Sequence, residues 1–142
     1  MAVSGPELDR VESRLRHLDQ SVAALRSVQP VSQERFDDEP LLRPATERLL
    51  YLCIQDVLDI GALLLRSRAV RSAESYRDVV VLLGDTGALD RAFAARIEPM
   101  AGFRNLLEHG YVELDPARLV EFATRTDDFV EFARQVAAFL AR

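Results

Sequence analysis

The stretch Leu8-Asp9-Arg10-Val11-Glu12-Ser13-Arg14-Leu15-Arg16-His17-Leu18-Asp19-Gln20-Ser21-Val22-Ala23-Ala24-Leu25 carries apolar residues at Leu8, Val11, Leu15, Leu18, Val22 and Leu25. Steps that alternate between three and four mark one face of an α-helix, and the other faces hold arginine, aspartate and glutamine. A helix over residues 6–28 is predicted. Its stripe is suited to packing in a core or against a second subunit.

The remaining segments read the same way. Residues 29–38 contain Pro30 and polar side chains and are expected to connect. A second helix should begin at Pro40 or Pro44 and reach Ser67, because a proline fits only the first turn, where its missing N–H costs nothing. The run from Leu49 to Leu65 is apolar on most faces, which predicts a central helix with several neighbours. Arg66, Arg68 and Arg71 follow it, either as a solvated helix end or as a phosphate-contacting patch. A short third helix over residues 75–83 is capped by Ser72 or Ser75 and ended by Gly84. The fourth spans residues 88–109, with Pro99 inside it and Gly110 just past its end. Asp115-Pro116 opens a fifth, since aspartate caps well and proline suits the first helical position. Phe122, Phe129, Phe132, Val136 and Phe139 give that helix its apolar face. The expected fold is therefore all-α, a bundle of about five helices.

A chain of 142 residues fits one domain, residues 1–142, with enough length to bury a core. A formal net charge of -5 argues against a general nucleic-acid coat protein, although a local basic cleft is compatible with an acidic average. The single cysteine, Cys53, lies in an apolar run and reads as a buried core thiol. One cysteine makes neither an internal disulfide nor a cysteine zinc cluster. No apolar stretch approaches the ~20 residues that span a bilayer, and the first residues lack the pattern of a signal peptide. A cytoplasmic protein without membrane contact is expected.

Chemistry concentrates in Arg104-Asn105-Leu106-Leu107-Glu108-His109-Gly110-Tyr111, which holds one of the two histidines. Arginine grips phosphate through a bidentate fork, and histidine moves protons near neutral pH. Such a pair suffices to break an RNA phosphodiester without a metal. Asn105 and His109 share a helix face, whereas Arg104 and His109 point about 140° apart. The site thus relies on a frayed helix end or combines residues from two chains of a symmetric dimer. From spacing alone, a plainer reading is open: His109 caps the helix, and Arg104 pairs with Glu108 on the surface.

Arg104-Asn105-x-x-x-His109-x-Tyr111 resembles the motif of HEPN-domain proteins, and specifically of HepT-like toxins. Asp56-Val57-Leu58-Asp59-Ile60, Glu74-Ser75-Tyr76-Arg77, Met100-Ala101-Gly102-Phe103 and Asp127-Asp128-Phe129-Val130-Glu131-Phe132 are also similar to that family, so the likeness covers residues 42–140. The resemblance implies a HEPN-type antiparallel bundle and a homodimer. It implies an endoribonuclease site between subunits that is metal-independent and needs no cofactor. Arg104 and His109 would be catalytic, with Asn105 supporting them. It further implies a partner, a minimal nucleotidyltransferase (MNT) antitoxin that AMPylates Tyr111. The alternative is a non-catalytic HEPN module that binds nucleotide or protein beside the same nucleotidyltransferase. Glu108 departs from the family, which usually has an apolar residue there, and a carboxylate at that point would repel phosphate unless it faces away. Pro99 is a second departure.

Overall fold

The computed structural model describes residues 5–68, 70–109 and 114–142. Among these, seven helices and no strand occur: α1 (Gly5–Ser27), α2 (Gln33–Asp38), α3 (Leu42–Ser67), α4 (Tyr76–Thr86), α5 (Arg91–His109), α6 (Pro116–Thr124) and α7 (Thr126–Leu140). The all-α bundle expected from the sequence is the observed fold.

Helix α3 is its axis and touches each of the other six helices, most extensively α1. It starts at Leu42 with Pro44 in the first turn, where proline is harmless. Leu50, Cys53, Ile54, Val57, Leu58, Ile60, Leu64 and Leu65 are all buried on it. The stripe of α1 presses on this surface through Val11, Leu18, Val22 and Leu25. Phe122, Phe129 and Phe132 fill the far side and are fully buried, and Phe103 packs against Phe122 with ring centroids 4.9 Å apart. Truncating one such ring to alanine typically costs about 3–5 kcal/mol.

Four expected details differ. The predicted connection over residues 29–38 contains α2, capped by Ser32, whose hydroxyl accepts from the Arg35 N–H at 3.1 Å. The third helix does not stop at Gly84. It runs to Thr86 and ends at Gly87, which takes the left-handed conformation with φ 82°. Gly84 serves packing instead, because a Cβ there would lie 3.1 Å from the Ala94 Cβ on α5. The next helix accordingly begins at Arg91, not Ala88.

The predicted fifth helix is two helices that meet at Arg125. Behind the break sits buried Asp128, which accepts from Arg96 Nε at 2.9 Å and Arg125 Nε at 3.0 Å. Thr126, also buried, accepts from Arg26 Nε at 3.1 Å. The bend brings these two polar groups to partners on α1 and α5, and unpartnered burial would be costly. The other expected caps stand: Ser75 accepts from the Asp78 N–H, and Asp115 from the Ala117 N–H. No helix among the described residues is long and apolar enough to cross a membrane.

Cys53 is completely buried, and burial, aided by nearby Asp56, pushes its thiol up to about 12. Thiol reagents attack the thiolate. The native protein should therefore not react with an aromatic disulfide reagent at pH 8, while the chain unfolded in guanidinium should release one equivalent. Rapid reaction of the native form would refute the buried placement.

Candidate active site

Arg104 lies on α5, five residues before the helix ends at His109. It is a buried arginine, only 7% exposed. Burying a guanidinium is costly unless it finds partners, and here α3 and α5 supply acceptors and α3 and α4 supply aromatic rings. Its Nε donates to Gln55 Oε1 of α3 at 2.8 Å, and Nη1 donates to Asn105 Oδ1 at 3.1 Å. Its Cζ lies 4.3 Å from the Tyr76 ring centroid on α4 and 5.6 Å from that of Tyr51 on α3. Cations favour the faces of such rings.

The fifth partner is Glu108, whose Oε2 accepts from Nη1 at 2.5 Å. The i,i+4 ion pair allowed by the spacing is thus formed, but its arginine is buried and only its carboxylate is partly exposed. Glu108 does not face away. It also lines an open groove of about 360 Å³ with Pro44, Glu47, Arg48, Tyr51 and Leu107. Its carboxylate presents oxygens to Arg104 where a phosphate would present its own.

Among the other candidate residues, Asn105 is exposed and held against Arg104. His109 is exposed at the last position of α5. Within one chain Arg104 therefore faces the bundle while His109 faces solvent, in keeping with their angular separation. Gly110 and Tyr111 lie outside the described residues. Among the described residues, no group of three or more His, Cys, Asp or Glu side chains could hold a metal ion.

Sequence reasoning missed the residues that aim Arg104. Tyr51, Gln55 and Asp59 recur every four residues along α3, a spacing visible in the sequence, but nothing in it tells which helix that edge faces. Gln55 Nε2 donates onward to Asp59 Oδ1 at 2.8 Å. The start of α4 is seated by Gly102, where a Cβ would come within 2.3 Å of the Arg77 guanidinium. That seat carries Tyr76 to Arg104.

The model of the family described as "Ribonuclease HepT-like" matches residues 18–136. The chain belongs to the HepT-like ribonuclease family. That membership makes it a nuclease. A curated relative of this HepT-like chain, the tRNA nuclease HepT of Aphanizomenon flos-aquae (strain 2012/KM1/D3), is 27% identical over 135 residues, covering 92% of this chain and 89% of the relative. The solved tri-AMPylated HEPN toxin of Shewanella oneidensis, in complex with an MNT antitoxin, superposes with a TM-score of 0.81 at 19% identity, covering 95% and 99% of the two chains. A cytosolic protein of unknown function, YutE from Bacillus subtilis, superposes with a TM-score of 0.79 at 17% identity, covering 93% and 89%. At such identities the two structures establish the shared HEPN fold.

The Glu108 contact yields a prediction. Exchange of the carboxylate for an amide in Glu108→Gln removes the charge competing for Arg104, a contact worth up to about 1 kcal/mol when partly exposed. Single-stranded RNA should bind the variant roughly two- to fivefold more tightly in a fluorescence titration at fixed salt. Weaker binding by a folded variant would mean that Glu108 positions Arg104 and does not compete for it.

Proposed function

We propose that this chain, as a single HEPN domain, is the toxin of a HepT/MNT toxin–antitoxin pair and cleaves RNA in the cytoplasm. The observation that carries the reading is the buried Arg104, aimed by Gln55, Tyr51 and Tyr76 and already holding an oxyanion, the Glu108 carboxylate. The name of the Aphanizomenon relative, a tRNA nuclease, supports RNA as the substrate class.

The proposed reaction is transesterification. A ribose 2′-oxygen forms a bond to the adjacent phosphorus, and the bond from phosphorus to the 5′-oxygen breaks. The products are a 2′,3′-cyclic phosphate and a 5′-hydroxyl. His109 takes the 2′-OH proton or delivers one to the leaving oxygen, and Arg104 stabilises charge on the phosphoryl oxygens. Asn105 supports the arginine. The nucleophile belongs to the substrate and the charge is met by arginine, so this route calls on no metal. Two chains related by a two-fold axis bring the buried Arg104 of one copy towards the exposed His109 of the other.

His109→Ala should lower cleavage about 10²–10⁴-fold, the usual contribution of an acid–base group, with the fold intact by circular dichroism. Arg104→Lys should not restore activity, because the fork is lost. Mixing His109→Ala chains with Arg104→Ala chains should recover part of the rate, since mixed dimers contain one site with both groups. EDTA should change little, and 2′-deoxyribose at the scissile position should block cutting. Parental rates in His109→Ala, or metal rescue after EDTA, would overturn the mechanism. A folded wild type that binds RNA and never cuts it would leave the non-catalytic binding module in its place.

The AMPylated state and MNT partner of the Shewanella toxin support a covalent control at Tyr111. The tyrosine oxygen attacks the α-phosphorus of ATP, pyrophosphate leaves, and the phenolic proton passes to solvent or to a base on the partner. AMP adds bulk and a negative charge that repels RNA and occupies Arg104. Tyr111→Phe should remain active and escape silencing by the nucleotidyltransferase plus ATP, and mass spectrometry should find AMP on the wild-type peptide alone. Silencing of the wild type with an unmodified Tyr111 peptide would mean inhibition by binding.

A further inference from the structure

The second histidine, His17 of α1, has a fixed role in the bundle. Its Nδ1 is 2.6 Å from Asp56 Oδ2 of α3, a carboxylate only 2% exposed. Arg14 approaches the other oxygen of Asp56 at 3.7 Å. Burial pushes the Asp56 carboxyl up, while the hydrogen bond from His17 and the charge of Arg14 pull it down. A buried ionic tie contributes little net stability compared with an apolar contact of the same size. It does fix the His17 ring, with Nε2 on the edge away from Asp56.

That ring lines an open groove of about 590 Å³ together with Arg10, Ser13, Arg14, Asp59 and Arg66. Three arginines and a histidine therefore meet at one place on a chain whose net charge is -5. The two nearby carboxylates are both engaged, Asp56 behind His17 and Asp59 with Gln55. Among the described residues, no hydrogen bond or salt bridge engages the side chains of Arg10 or Arg66, both exposed. The adjacent arginines are committed elsewhere: Arg71 grips Asp78 at 2.7 and 2.9 Å, and Arg68 lies 4.3 Å from the Phe139 ring centroid. Of the basic run that ends α3, Arg66 is the member that opens on this groove.

A second groove, of about 480 Å³, shares Ala62 and Arg66 with the first and is also lined by Arg71, Glu74 and Tyr76, whose ring stacks on Arg104. Arg66 lies about 16 Å beyond Gln55 along α3 at 1.5 Å per residue. A few nucleotides of single-stranded RNA cover that length, and a cluster of cations such as the one in the first groove is how the backbone of such strands is held.

We infer that Arg10, Arg14 and His17 of α1, with Arg66 of α3, form a second phosphate site that holds the RNA backbone a few nucleotides from the bond cut at Arg104. The inference rests on the proposed reading of RNA as the substrate. Arginines at this site bind without regard to base, so they set the length and path of RNA the enzyme accepts, while Arg104 and His109 carry the chemistry.

The probe is a fluorescein-labelled twelve-nucleotide RNA with 2′-O-methyl ribose throughout, which lacks the attacking hydroxyl and reports binding alone. Fluorescence anisotropy should show roughly a tenfold weaker Kd for the Arg14→Ala/Arg66→Ala double variant than for the wild type. The slope of log Kd against log salt should fall by about 0.7 for each arginine lost. Arg134→Ala on α7, a residue that lines neither groove and pairs with Glu131, should match the wild type. If the double variant fails to fold, Arg66→Gln alone, at an exposed position, should show the single-contact loss in slope. An unchanged Kd and slope in folded variants would overturn the site. So would unchanged RNA affinity with lost binding of the nucleotidyltransferase, which would assign the arginines to a protein contact. If the wild type binds the probe through these arginines yet cuts no unmodified RNA, the reaction reading fails and the phosphate site stands. If it cuts RNA while the probe ignores them, the reverse holds.

Discussion

The bundle is organised by the need to cover α3. A helix with buried residues on so many faces cannot be shielded by one neighbour, and here each of the other six helices contributes. Helix α1 covers the largest share through its own stripe. Helices α4 and α5 cover most of the rest, α6 and α7 add phenylalanines, and the bend at Arg125 lets these two follow the core without leaving Thr126 and Asp128 unpartnered. The hydrophobic effect supplies the drive, and matched polar groups at the edges fix the register.

The same helix serves the site because its two ends differ. Its first half, with Arg48 and Tyr51, borders the groove beside Glu108, and Gln55 at its middle holds Arg104. Its last turns, ending in Arg66, border the grooves beside Tyr76 and His17. A strand of RNA held as proposed would therefore follow the helix that all six others pack against. Preorganisation of this kind matters for a charge-stabilising group, since the guanidinium need not be reoriented when the transition state forms.

Periodicity made most of the fold legible. The α1 stripe, the apolar run of α3 and the caps Ser75 and Asp115 each have a local cause that can be read within a few residues. What stayed hidden has equally definite causes. Phe122 and Phe129 are seven residues apart, in phase for a continuous helix, so the pattern could not reveal the break between α6 and α7. The six residues of α2 contain one buried apolar side chain, Phe36, too few to define a period. Gly84 and Gly87 look alike in sequence, and only the proximity of Ala94 shows that the first is there for packing. In the site, the motif residues were legible because they are neighbours in the chain. Gln55, Tyr51 and Tyr76, which arrive from other helices, were not.

Gln55 has a consequence that its shape alone does not convey. Its amide accepts from Arg104 on one side and donates to Asp59 on the other. The link therefore has a direction, from cation through amide to carboxylate, and each end suits only one kind of atom. A glutamate of the same outline would present oxygen to both, drawing closer to the arginine while facing the aspartate with like charge. The neutral side chain thus lets a fixed positive charge and a carboxylate be wired together across one helix edge without adding charge of its own, and it ties the electrostatics of the two grooves to a single dipole.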